Sequence, residues 1–223
     1  MKKSNNILYW VGGIFLAAFF LWTVLVCFVD VKPIGPDNSA VGFASLNSFF
    51  RNIIGVNMGL YTITDWLGLV PIGFALSFAV VGLFQFINRR SFLKVDKDIL
   101  ALGAYYIVVV IIYFLFEYIV INYRPVLING KLEVSYPSST TLLVASVMPT
   151  AILQLKVRIR NNVTRKIVLF FLSVFTVFMI IGRLISGVHW FSDIVGGVLV
   201  STGLFSLYAA LFNNIYSKEI TTK

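Results

Sequence analysis

Histidine and cysteine each occur once in this chain of 223 residues, and charged side chains make up only 12% of it. A single cysteine, Cys27, excludes an intrachain disulfide and any cysteine-based metal cluster. Placed inside the first apolar run, it is expected to serve packing. Ordinary soluble domains carry about 25% charged residues; with 59% hydrophobic residues and a mean hydropathy of +0.91, this chain is not one of them. Also missing are an internal repeat, a low-complexity stretch, a glycine-rich phosphate loop and zinc-ligand spacing.

What is present instead is a series of apolar runs, at roughly 7–29, 67–88, 99–121, 139–155, 167–182 and 193–213. At roughly 20 residues per span they predict an all-α integral membrane bundle of about six transmembrane helices, a single membrane domain over 1–223. The opening Met1-Lys2-Lys3 and its long apolar run read as an uncleaved span rather than a signal peptide.

The formal charge of +9 sits in short basic runs between apolar segments, which suits a bilayer partner and topology signalling rather than nucleic acid. Alternate loops divide Lys and Arg 13 to 5, the larger group including Lys2, Lys3, Lys218 and Lys223. Both termini are therefore expected to be cytoplasmic, with Arg124, Arg183 and His189 at the outer face. The long connection 30–66 opens on turn-forming residues. It then repeats Phe43, Leu46, Phe49, Phe50, Ile53 and Ile54 at helical spacing, an amphipathic segment near 40–56 expected on the outer leaflet. It reads equally as a shield or guide for a site and as a cover for the bundle.

In the last run, Gly196, Gly197, Ser201 and Gly203 predict close approach of another helix. Pro125 and Pro137 keep helices out of the loop between the third and fourth runs, in which Ile128-Asn129-Gly130-Lys131 reads as a turn. The polar Ser138, Ser139, Thr140 and Thr141 that follow suit a helix start facing a site.

Arg183, His189 and Asp193 fall within eleven residues at the junction of two apolar runs. Ionisable groups there are costly, so they mark a candidate site. If the chain is helical from Trp190, His189 and Asp193 share a face and the carboxylate can hold one ring nitrogen. Taken alone, His189 has packing or interface anchoring as an equally open reading, and Arg124 reads as a snorkelling interfacial residue.

In order, Arg-Pro at 124–125, Pro-Ser-Ser at 137–139 and Arg-x5-His-x3-Asp at 183–193 resemble the three-part signature of the type 2 phosphatidic acid phosphatase family, whose superfamily includes bacterial acid phosphatases and vanadium haloperoxidases. The resemblance implies a bacterial-type cell-membrane enzyme that hydrolyses a lipid phosphate or diphosphate at the outer face. It implies His189 as nucleophile, forming a phosphohistidine, and Asp193 orienting its ring. Arg124 and Arg183 would bind the phosphoryl oxygens, joined by the backbone amides of Ser138 and Ser139. No metal or other cofactor is implied. The oligomeric state is left open.

Two positions depart from the pattern. Glu117 stands where the family places a lysine, and Thr140 where it places the histidine that protonates the leaving oxygen. A carboxylate at 117 repels a phosphate dianion unless it pairs with Arg124 or Arg183. Loss of a general acid costs about 10² to 10⁴ in rate for a poor leaving group, which favours polyprenyl diphosphate over phosphatidic acid. The alternatives are a catalytically impaired relative that binds a phospholipid headgroup or a partner, and a phosphotransferase.

Overall fold

A computed structural model describes residues 2–221. Lys223 lies outside them, and the side chains of Lys2, Lys3 and Lys218 are likewise not described, so their part in the charge count stays a sequence reading. The spans are α1 (Lys2–Phe28), α3 (Met58–Leu67) continuing into α4 (Leu69–Arg89), α5 (Lys97–Tyr118), α6 (Ser139–Arg158), α7 (Asn162–Ile185) and α8 (Phe191–Thr221), with the short α2 (Ala44–Ile54) after α1. Six of these segments are long and apolar enough to cross a membrane. Among the described residues there is no β-strand, only isolated bridges. The protein is an all-α membrane bundle.

α6 and α8 form its centre, buried over half or more of their length. α6 is short on strict apolarity because its polar side chains are spent on neighbouring helices. Ser146 Oγ donates to Ser201 Oγ (3.2 Å), Thr150 Oγ1 meets Tyr106 Oη (2.9 Å), and Gln154 Nε2 donates to Tyr208 Oη (2.7 Å). Such bonds hold helices together where no hydrophobic force distinguishes protein from lipid. At the end of the bundle remote from His189, buried Asp98 pairs with Arg158 at 2.7 Å.

The small residues of α8 do what their spacing predicts. A Cβ at Gly203 would stand 2.8 Å from Leu16 of α1, and one at Gly197 would stand 3.1 Å from Thr141 of α6. Cys27 differs from expectation. It is exposed on α1, a helix that buries little of its surface.

The second span begins nine residues earlier than the apolar run at 67 suggests. Residues 58–66 include Thr62, Thr64 and Asp65, which lower their hydropathy, and α3 bends into α4 at Gly68, whose N–H reaches back to Thr64 O and Asp65 O. α2 is the expected amphipathic helix with its polar face inward. Phe49 and Ile53 are 59% and 67% exposed, whereas Asn47 is 1% exposed and exchanges two 3.0 Å hydrogen bonds with Ser192 of α8. α2 therefore braces the start of α8 and leaves its apolar side exposed.

Candidate active site

Between α5 and α6, the chain 119–138 doubles back on itself. Ile128 and Lys131 exchange backbone bonds of 3.0 and 2.9 Å around Asn129 and Gly130, whose φ values of 50° and 74° suit the predicted turn. Arg124 N–H donates to Glu133 O, and Ser135 N–H to Asn122 O, each at 2.9 Å. The returning limb thus sets Ser135 beside the start of α8. On the other side, α7 ends in a turn at Gly187, where φ is +67° and a Cβ would lie 1.9 Å from Gly55 O. Only glycine fits there. That turn delivers His189 ahead of α8, so the histidine is not itself helical.

His189 and Asp193 come together, but not by direct contact. Asp193 Oδ2 is 3.9 Å from His189 Nδ1, too far for a hydrogen bond. The Ser135 hydroxyl stands between them, 3.0 Å from Nδ1 and donating to Oδ2. With its proton given to the carboxylate, Ser135 Oγ accepts from Nδ1–H, which fixes the tautomer and leaves Nε2 with its lone pair. Asp193 is wholly buried and accepts further from Trp190 N–H (2.9 Å) and Asn122 Nδ2 (3.2 Å). The carboxylate is fixed, and Ser135 transmits its position to the ring.

Around Nε2 the site is cationic. Arg183 Nη2 lies 3.2 Å from it, and the Arg124 and Arg183 guanidiniums flank the same Tyr61 ring, at 5.8 and 4.9 Å from its centroid. Carboxylates only partly offset them. Arg183 Nη1 is 3.6 Å from Asp65 Oδ1, and Arg124 Nε is 3.2 Å from Glu133 Oε2 without the alignment a hydrogen bond needs. Three buried guanidinium N–H sites consequently have no hydrogen-bond partner: Arg124 Nε, Arg124 Nη1 and Arg183 Nε. Buried donors are almost always satisfied, so this group points to an anion.

Two expectations need correcting. Glu117 makes no ion pair with either arginine; it is exposed near the end of α5, and Glu133 and Asp65 occupy those places. The Ser138 amide is committed to Asp193 O at 3.1 Å, and its side chain caps α6 by accepting from Thr141, so Ser138 holds the scaffold. Ser139 lines a cavity of about 420 Å³ together with Arg124, Ser135, Glu117 and Glu133. Thr140 faces a second opening between α4 and α5, which Asp65 and Ser139 also line. Sequence reasoning missed Ser135, Tyr61, Asp65 and Glu133. Tyr61, Thr64 and Asp65 carried a signal, since spacings of three and four put them on one helix face; Ser135 carried none.

Burial, then the Arg124 and Arg183 charges, hold the His189 imidazole well below its ordinary value, with the bond to Ser135 acting in the opposite sense. A single histidine makes this directly measurable. The imidazole resonances of His189 are expected to show no protonation as pH falls from 8 through about 6.5. Protonation favours the unfolded chain here, so the stability His189 contributes is present above that value and is lost progressively below it. A titration midpoint at the ordinary value would contradict the packing described.

A family model described as the PAP2 superfamily matches residues 98–217, more than half of the chain. No curated protein matches. Among solved structures, the crystal structure of the first transmembrane PAP2-type phosphatidylglycerolphosphate phosphatase from Bacillus subtilis is similar at 21% identity and a TM-score of 0.44, over 77% of this chain and 96% of that one. The matched residues run from α5 through α8 and take in Arg124, Ser139, Arg183, His189 and Asp193, and the chain belongs to the PAP2 superfamily.

Proposed function

We propose that this protein is a membrane lipid phosphatase that works at the outer face through a phosphohistidine on His189. The observation that carries the reading is the set of three buried guanidinium N–H sites without a hydrogen bond beside the chain's only histidine. A phosphoryl group satisfies them. It also draws Arg183 Nη2 to a charged oxygen, a stronger acceptor than the ring, and so frees the Nε2 lone pair.

In the first step Nε2 attacks phosphorus and the bond to the lipid oxygen breaks, its electron pair leaving on that oxygen. The ring becomes cationic, still carrying Nδ1–H, and Ser135 with Asp193 stabilises that charge. In the second step water attacks phosphorus, its proton passes to bulk solvent, which also protonates the departed lipid oxygen, and the Nε2–phosphorus bond returns its pair to the ring. Thr140 cannot protonate the leaving oxygen near neutral pH. The substrates that suit this site therefore leave readily by themselves: a lipid diphosphate, or an ester whose alcohol carries an electron-withdrawing group.

The outer-face placement rests on the charge distribution: Arg89, Lys97, Arg158 and Arg165 lie at the end of the bundle away from His189. The reading is tested by phosphate release from phosphatidate, phosphatidylglycerol phosphate, a sphingoid phosphate and a polyprenyl diphosphate by purified protein in detergent. Release from at least one is expected. No release from folded protein on any of them would sink it.

Ser135→Ala tests the relay. Outer partners of a reacting ring are typically worth about 10- to 100-fold, and a loss of that size in kcat with little change in KM is expected. Imidazole nitrogen shifts should also show mixed tautomers in the variant. A pure Nδ1–H tautomer would show that Ser135 does not orient the ring.

A further inference from the structure

Arg124 and Arg183 carry like charges that repel each other, and the opposite charge near them is a weak tether. Asp65 stands 3.6 Å from Arg183 and Glu133 3.2 Å from Arg124, but their side chains are 56% and 40% exposed. Ion pairs open to solvent fix geometry poorly. What both guanidiniums share is the ring of Tyr61, whose centroid lies 4.9 Å from Arg183 and 5.8 Å from Arg124, within reach of a cation–π contact. That ring is itself firmly placed. α3 lies so close to α7 that a Cβ at Gly182 would stand 2.9 Å from Thr64 Cγ2, and Asn57 N–H, one turn before Tyr61, donates to Ser186 O at 2.9 Å. One turn after it, Thr64 Oγ1 accepts from Arg183 Nη1 at 3.4 Å. We propose that Tyr61 is a positioning residue for the anion site, its ring holding Arg124 and Arg183 together as one clamp for a phosphate dianion.

An aromatic ring suits this task better than a carboxylate. A buried carboxylate would accept the guanidinium N–H groups, neutralise the pair and have to be displaced by the substrate. A ring face attracts a cation and leaves its in-plane N–H groups for another acceptor, in agreement with the three buried N–H sites that make no hydrogen bond. The hydroxyl has no part in this: among the described residues, Tyr61 Oη makes no hydrogen bond. The inference rests on the proposed phosphate site but not on turnover.

Inorganic phosphate is the probe, its Kd taken from the rise in melting temperature that it gives to purified protein in detergent near neutral pH. Tyr61→Leu keeps an apolar side chain and removes the ring; Kd is expected to rise about tenfold, the scale of one desolvated cation–ring contact. Tyr61→Phe keeps the ring and should bind within about threefold of the unaltered protein. Trifluorophenylalanine at the same position preserves the shape of phenylalanine but drains negative charge from the ring face. It should bind phosphate several-fold more weakly than Tyr61→Phe, a difference that packing alone would not produce and that stands even if Tyr61→Leu does not fold.

Equal affinity in the phenylalanine and trifluorophenylalanine proteins overturns the proposal and leaves Tyr61 as packing. So does a loss in Tyr61→Phe as large as in Tyr61→Leu, which would assign the role to the hydroxyl. Phosphate bound by Tyr61→Leu as tightly as by the unaltered protein overturns it too, even where lipid phosphates are hydrolysed. No phosphate binding by the unaltered protein removes the clamp together with the anion site. The expected order of affinities without phosphate release from any lipid upholds the clamp and removes the phosphatase reading.

Discussion

His189→Ala should abolish phosphate release, by at least about 10⁴-fold, because removal of a covalent nucleophile disables every step that depends on it. No other histidine exists to take over. Ser135 and Asp193 remain in place but have no ring to orient, and water cannot form the intermediate. Quenching the unaltered protein in alkali during turnover of a labelled lipid phosphate should leave label that is stable to base and lost in acid, as a phosphohistidine is. The variant should retain none. Release by His189→Ala above a tenth of the unaltered rate would transfer the nucleophile's role elsewhere, with Ser135 the first residue to consider.

Arg183→Met should lower activity about 10²- to 10³-fold while making the free protein more stable. The activity loss follows from removing a donor aimed at developing charge, for which such factors are typical. The gain in stability follows from the packing. Arg183 is 1% exposed, shares the Tyr61 ring with Arg124, leaves Nε unpartnered and reaches Asp65 only at 3.6 Å. A buried charge so poorly compensated costs stability, and its removal strands no buried carboxylate, because the Asp65 side chain is 56% exposed. Melting should therefore rise by a few degrees in the variant without ligand. Inorganic phosphate at about 100 times its Kd should stabilise the unaltered protein by about 2.7 kcal/mol and the variant far less. A variant that melts lower and still responds fully to phosphate would mean that Arg183 is structural and the anion binds elsewhere.

The two variants separate chemistry from binding. His189→Ala keeps both arginines and should still be stabilised by phosphate; Arg183→Met keeps the ring but not its anchor for the anion. Parallel behaviour of the two would point to a common defect in folding.

The sequence by itself determined the class of protein and most of its plan. Apolar runs of spanning length leave few alternatives, since a backbone in lipid must satisfy its hydrogen bonds within helices. The amphipathic α2, the small residues of α8 and the turn at Asn129-Gly130 were legible for the same reason: each is a local pattern with a local cause. So was the grouping of Arg183, His189 and Asp193, because charge between apolar runs stands out. Tertiary structure alone decided what those residues touch. Ser135 reaches the dyad only because the hairpin folds it back from a position 54 residues before His189. Tyr61 and Asp65 arrive on a helix whose polar residues hid its membrane span, and Glu133, not Glu117, is the carboxylate beside Arg124. Periodicity records which way a side chain faces along its own helix; which distant group it meets depends on how helices pack and loops return, and hydropathy carries no trace of that.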